Sequence, residues 1–179
     1  MPIEQGDKYH KGGKMFVIRP IFRSIVLMAS MILLAISYNN FMLSLPQPVM
    51  KTQANERASI ALQRVNAPEK KIIELSIAVT NASAMTGISP ELLVALVKTE
   101  SEFKYKAISK KGYKGLMQTP WATMKWADVD ILYGAKILQE KLQFSNNDLK
   151  LALALYKGGD NEEAHRYADE TLKIYRRLL

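Results

Sequence analysis

Residues 24–50 carry no charged side chain, and within them residues 25–36, IVLMASMILLAI, form the most hydrophobic run of the chain. From residue 21 to residue 43 the apolar character lasts long enough for one helix to cross a hydrocarbon core of about 30 Å. Such a stretch divides the chain into a short head and a long C-terminal part. The head, residues 1–23, carries Lys8, Lys11, Lys14, Arg19 and Arg23 against Glu4 and Asp7, a net of 5 − 2 = +3. A basic flank on the N-terminal side keeps that terminus in the cytoplasm and sends the rest across. A signal peptide is the competing reading, since Ala35-Ile36-Ser37 has the small residues of a cleavage site and the dense apolar part has the length of an h-region. The long basic region before it, and the apolar continuation through Phe41, Met42 and Leu43, favour an uncleaved signal anchor. The expected organisation is a cytoplasmic basic N-terminus at 1–23, a transmembrane signal anchor (or signal peptide) at 24–44, a linker or juxtamembrane segment at 45–68, and a folded domain at 69–179.

Beyond the apolar stretch every signal is helical. Leu45-Pro46-Gln47-Pro48 ends that stretch, because proline continues a helix poorly. Residues 51–66 are polar, with Ala and Leu at mixed spacing, and read as a short helix or linker. Pro68-Glu69 opens a helix that Gly87 stops, with Ile72, Ile73, Leu75, Ile77 and Ala78 as its apolar side. Ser89 is a candidate N-cap for the next helix, with Pro90 at N1 and Glu91 complementing the positive end of the dipole. Residues 116–127 are expected to be helical, with Pro120 in the first turn. Asp128 or Asp130 should cap a helix whose core face is Ile131, Leu132, Ala135, Leu138 and Leu142. Asn146 or Asn147 should cap another that runs to Tyr156 and ends at Gly158-Gly159, and residues 162–179 form the last. No strand-like alternation of any length occurs, so the fold class is mainly α, with 48% hydrophobic content ample for one core. Small strands, if present, belong in the loop 103–114.

One carboxylate stands out. Leu93, Leu96, Val97 and Glu100 recur at i, i+3, i+4 and i+7, which puts Glu100 on the same helix face as apolar neighbours. Partial desolvation and the negative end of its own helix both disfavour the charged form and raise the pKa. A general acid working near neutral pH needs that shift, and Glu100 is therefore the candidate catalytic acid. Most glycosidases use two carboxylates, yet Glu102 points to a different face and Asp128, Asp130 and Asp160 read as caps or turn residues. Other chemistries lack their residues. The chain has no cysteine, and its two histidines, His10 and His165, lie far apart, so neither a metal site nor a cofactor is indicated. The formal charge of +8 asks for an anionic partner. Outside the head it is a scattered 8 − 3 = +5 with no basic stripe interleaved with aromatics, so nucleic acid is not expected; a weakly basic face would also suit an anionic glycan, while scattered solvated lysines account for most of the charge.

Glu100-Ser101-x-Phe103, Ala107-x-Ser109 and Gly112-x-x-Gly115-Leu116-Met117-Gln118, in that order and spacing, resemble the signature of the soluble-lytic-transglycosylase-type domain, a lysozyme-like family that cleaves peptidoglycan. Ala152-x-Ala154-Leu155-Tyr156-Lys157-Gly158-Gly159 resembles that family's Ala-Tyr-Asn-Ala-Gly block, and Glu170-Thr171 resembles the Glu-Thr that opens its last helix. The resemblance covers roughly residue 73 to the C-terminus. It implies a lysozyme-like helical domain behind the N-terminal signal-anchor helix. It also implies a reaction in which Glu100, as single acid and base, cleaves the MurNAc-GlcNAc β-1,4 bond and leaves a 1,6-anhydroMurNAc end. By the same resemblance Ser109 lies near the acid, Gly115 lets the backbone approach the glycan, Met117 and Gln118 line the cleft and hold an N-acetyl group, and Tyr156 packs over the site and orients the substrate.

Three departures from the family pattern bear on substrate preference and rate. Lys157 stands where the family usually has Asn; pointing inward it would pair with Glu100 and lower its pKa, and pointing outward it changes little. The segment from Gln118 to Gly134 is shorter than in most members. Ile174 takes the place of the usual tyrosine, with Tyr175 one residue on. The alternatives are a lysozyme-type peptidoglycan hydrolase, a non-catalytic peptidoglycan-binding scaffold module, and a helical membrane-tethered interaction protein. The expected partners are peptidoglycan glycan strands and the membrane, through the N-terminal helix. Analogy adds a secretion, conjugation or pilus apparatus for which the wall is opened locally. The expected location is the bacterial inner membrane, single-pass, with the catalytic domain in the periplasm or cell-wall space.

Overall fold

Ser89 starts the helix around which the others are arranged. The computed structural model describes residues 47–179, with side chains from residue 51 onward. In chain order its helices are α1 (Gln47–Arg64), α2 (Ile72–Thr86, entered through a 3-10 turn at Glu69–Lys71), α3 (Pro90–Ser101), α4 (Ala127–Phe144), α5 (Leu149–Lys157) and α6 (Glu162–Leu178). The expected span at 24–44 and the basic head lie outside the described residues. Among the described residues no single helix is long and apolar enough to cross a membrane.

The start of α3 follows the local sequence. Ser89 Oγ accepts from Leu92 N at 3.3 Å, and Pro90 occupies the first turn, where its missing N–H costs nothing. Every residue from Pro90 through Val97 is buried. The one-sided pattern of Leu93, Leu96 and Val97 is thus only part of the surface that α3 hides, and the helix is enclosed all round, as a central core helix is. Its neighbours are α2, α4 and above all α6, while α2 packs on α4 and α5 on both α4 and α6.

The flanking helices follow their expected limits more closely than their expected faces or caps. Gly87 ends α2 in the left-handed conformation (φ 73°), its N–H donating to Ser83 O. The buried side of α2 is Leu75, Ala78, Val79 and Ala82; Ile73 and Ile77, expected inside, are exposed. On α4, Ile131, Ala135 and Leu138 are fully buried and Leu132 and Leu142 partly so. The cap of α5 is Asp148, whose side chain accepts from Leu151 N at 3.0 Å. Asn146 (φ 52°) and Asn147 (φ 64°) instead form the left-handed turn before it. Asn161 caps α6, which places Glu170-Thr171 in mid-helix rather than at its opening.

The segment expected as a short helix or linker is the 18-residue α1. It buries Ala58, Ala61 and Leu62. Its Arg57 grips Glu91 of α3 through Nε and Nη2, both at 2.7 Å, and Arg64 donates to Leu178 O. The packed unit therefore runs from Pro48 to Leu179.

The expected helix at 116–127 does not form. Pro120 offers no N–H, and Gln118 (φ 46°) and Met124 (φ 55°) take left-handed backbone that a right-handed helix does not contain. Lys114 instead makes isolated bridges to Ile108 and to Thr119. Those bridges stand where small strands were expected, and no strand occurs among the described residues. Asp130, read as a possible cap, is fully buried in the first turn of α4 and turns back on this loop. Its carboxylate accepts from Thr123 N (2.6 Å), Thr123 Oγ1 (2.8 Å) and Met124 N (3.1 Å). Its negative charge thus satisfies three donors that no helix supplies with partners. Nor does Asp128 cap α4; the residue before it is Trp126, which makes no side-chain cap.

Candidate functional site

The C-terminal end of α3 carries Glu100 to the base of a cleft. The helix stops one residue later because Glu102 (φ 50°) and Phe103 (φ 64°) turn the chain left-handed, with Glu102 N still bonded to Lys98 O. Phe103 then buries itself as an anchor for the loop. The cleft encloses about 450 Å³ between the loop 109–120, α4, the end of α5 and the start of α6. The Glu100 side chain is only 3% exposed. Glu102 points to solvent and pairs with Lys104.

Burial pushes the Glu100 carboxyl above the ordinary glutamate pKa, and this is the dominant influence on it. The opposing influences come first from the Tyr167 hydroxyl and then from the charge and proximity of Lys157, and they do not cancel it. Tyr167 Oη is buried and forms no hydrogen bond of good geometry, so it acts on the carboxyl from close by rather than through a well-formed bond. Lys157 points inward. Its Nζ lies 3.4 Å from Glu100 Oε2 and 4.5 Å from the centre of the Tyr167 ring. That is a long ion pair, shared with an aromatic face, on a side chain that keeps 38% of its surface exposed.

The other expected residues divide into two groups. Ser109, Gln118, Tyr156 and Lys157 line the cleft with Glu100. Ser109 Oγ accepts from Tyr113 N at 3.0 Å and shapes the loop. Gln118 spends both N–H bonds of its amide on Ala107 O and Gly115 O, and among the described residues its carbonyl oxygen accepts no hydrogen bond. Tyr156 donates to Met117 O at 2.7 Å, and its own ionisation is pushed well up by burial and by the Glu100 charge. Met117 and Gly115 do not line the cleft. The Met117 side chain is fully buried against Gly134, where a Cβ would come within 2.5 Å of Met117 Cβ. At Gly115 (φ 76°) a Cβ would sit 2.6 Å from Ala122 Cβ and 2.7 Å from Asp130 Oδ2. The close approach that requires glycine is therefore to the protein's own loop.

Several residues in or behind the cleft escaped sequence reasoning. Tyr167 comes from α6, and its only local signal was the inward stripe it shares with Ala164, Ala168 and Thr171. Lys110, Lys111 and Lys141 line the cleft as well, as does the exposed Glu163. Spacing could not have assembled these, because they come from three separate elements. Tyr175, the displaced aromatic, serves the fold: its hydroxyl lies 3.3 Å from Ser89 Oγ and ties α6 to the start of α3.

A small helical domain that brings one buried carboxyl, its pKa raised by that burial, to the base of a cleft has the outline of a lysozyme-like domain. The family model of the Transglycosylase SLT domain matches residues 77–175, and the chain belongs to that family. At family level this is a lytic-transglycosylase-type domain that acts on peptidoglycan. No solved structure matches the chain.

Proposed function

We propose that the chain is a peptidoglycan lytic transglycosylase in which Glu100 serves as both acid and base. What supports this reading most is the near-complete burial of the Glu100 side chain at the base of an otherwise open cleft, with its pKa raised by that burial. Protonated Glu100 gives its proton to the glycosidic oxygen between MurNAc and GlcNAc as the C1–O bond breaks. The muramoyl O6 hydroxyl attacks C1, and its proton passes to the Glu100 carboxylate. The enzyme ends as it began and a 1,6-anhydro sugar remains, with no water consumed. One group that alternates between acid and base is sufficient for this exchange. The free carbonyl oxygen of Gln118 suits an N-acetyl N–H, and Tyr156 stiffens the wall beside it through Met117 O.

The domain would work outside the inner membrane, held there by the apolar segment at 24–44, and would open the wall locally for a secretion, conjugation or pilus apparatus. One observation favours a second reading, a peptidoglycan-binding module without turnover: the Lys157 ammonium beside Glu100 favours the ionised carboxyl, which cannot act as an acid.

Mass spectrometry of muropeptides released from purified sacculi by the full-length chain separates these readings. Anhydro ends support the transglycosylase, reducing ends indicate a hydrolase, and binding without release indicates the inert module. Glu100→Gln keeps the shape of the side chain but has no proton to deliver, and should lower release by about 10²–10⁴-fold. Glu102→Gln, on the solvent side, should stay close to wild type. Near-normal digestion by the Glu100→Gln chain would falsify the mechanism.

A further inference from the structure

Four ammonium groups, those of Lys110, Lys111, Lys141 and Lys157, line the cleft against two carboxylates, Glu100 and Glu163. Lys157 is engaged with Glu100. The other three have no ion-pair partner among the described residues, whereas Lys71, Lys104 and Lys150 each pair with a nearby acid. They approach from separate elements: Lys110 and Lys111 from the loop tip before Gly112, and Lys141 from the last turn of α4. Lys111 reaches the end of α5, its Nζ lying 3.9 Å from where a Cβ would stand on Gly158. Repulsion between like charges opposes bringing unpaired cations to one concave wall, and an anion between them removes that opposition.

We infer that this wall recognises carboxylates borne by the glycan, so that the enzyme selects acidic over neutralised peptidoglycan. The inference rests on the proposed action on peptidoglycan and adds the charge class of its substrate. A sugar ring seated over Glu100 offers its own groups to the cleft floor, while any carboxylate attached to it projects toward the walls, where the ammonium groups are. Two sources share this chemistry: the lactyl carboxylate of muramic acid once its peptide is removed, and the carboxylates of the stem peptide. Lysine suits either, because its charge is a flexible point that needs no fixed fork geometry.

The test uses the full-length chain on two pairs of substrates: native sacculi and sacculi with carboxyl groups amidated by carbodiimide and ammonia, and glycan stripped of stem peptides by an amidase with and without the same amidation. Three exposed charge contacts, each modest, together predict release from native sacculi roughly tenfold faster than from amidated ones at low salt, and less at high salt. A chain carrying Lys110→Gln, Lys111→Gln and Lys141→Gln should treat native and amidated sacculi alike, at the rate of the wild type on amidated material. Faster release from native than from amidated sacculi assigns the peptide carboxylates, and faster release from stripped glycan than from the same glycan amidated assigns the lactyl carboxylate; either result supports the inference. Equal rates of the wild type within both pairs overturn it, as does a triple variant that keeps the preference. Cosedimentation of the Glu100→Gln chain with native and amidated sacculi reads the same selectivity without turnover. Absence of anhydro products therefore counts against the catalytic reading alone, and absence of differential binding counts against this one.

Discussion

Lys157 is the residue whose replacement reports most directly on Glu100. With a raised pKa, Glu100 stays protonated to a higher pH than an ordinary glutamate, and activity that needs the acid form falls as pH rises through that pKa. Lys157 opposes the shift, because a cation 3.4 Å from the carboxylate favours ionisation. Lys157→Asn, which restores the residue usual in the family's motif, should therefore move the high-pH limb of the kcat/KM profile upward and raise activity near neutral pH. An unmoved limb would mean that the ammonium is fully screened by solvent in the working enzyme, consistent with its partial exposure. The position itself was plain in the sequence, as a cation in a block that otherwise matched. Its direction was not, since inward and outward placements differ only in a rotamer and in what α6 offers across the cleft, here the Tyr167 ring.

At the scale of elements, α1 is held by few contacts that matter. Arg57→Ala leaves the buried Glu91 carboxylate without its bidentate partner, while Ala58, Ala61 and Leu62 still pack. Because Arg57 is 54% exposed, water replaces part of what is lost. The expected destabilisation is about 1–3 kcal/mol, read as a lower urea midpoint with an unchanged slope. A wild-type midpoint would show that the three apolar residues and the remaining hydrogen bonds hold α1 without the ion pair. The docking of this helix was not legible locally: residues 51–66 have too few apolar side chains to declare a face, and the two charged side chains that fasten it, Arg57 and Arg64, find their partners 34 and 114 residues away. The loop 102–126 is the converse case. Local propensity at 116–127 favoured a helix, and Asp130 from the next helix, together with left-handed backbone at Gln118 and Met124, decided otherwise.

For the whole molecule, the charge pattern around 24–44 predicts topology. An alkaline phosphatase fusion after Pro48 should be active, because Lys8, Lys11, Lys14, Arg19 and Arg23 retain the N-terminus inside. The full-length chain should stay with the membrane fraction through a carbonate wash. Recovery of a soluble exported species beginning near Tyr38 would mean that the segment is a cleaved signal peptide.

What the sequence by itself determined is what acts over a few residues. The Ser89 cap, the Gly87 and Gly158 stops, and the distance along the chain from Glu100 to Gln118 follow from backbone preferences and fixed helical geometry, and so the helix that ends beside Glu100 and the family could be read directly. The burial of Glu100 was half legible, since spacing put it beside Leu93, Leu96 and Val97 but could not show α3 enclosed on every side. The tertiary structure decided the rest: that Met117 and Gly115 pack inward, that Asp130 pins a loop instead of capping a helix, that Tyr167 stands beside the acid, and that lysines from a loop and two helices share one wall. Each of these depends on groups from different elements meeting, most of them far apart in the chain. No local preference encodes such a meeting, and only the joint packing of the six described helices selects it.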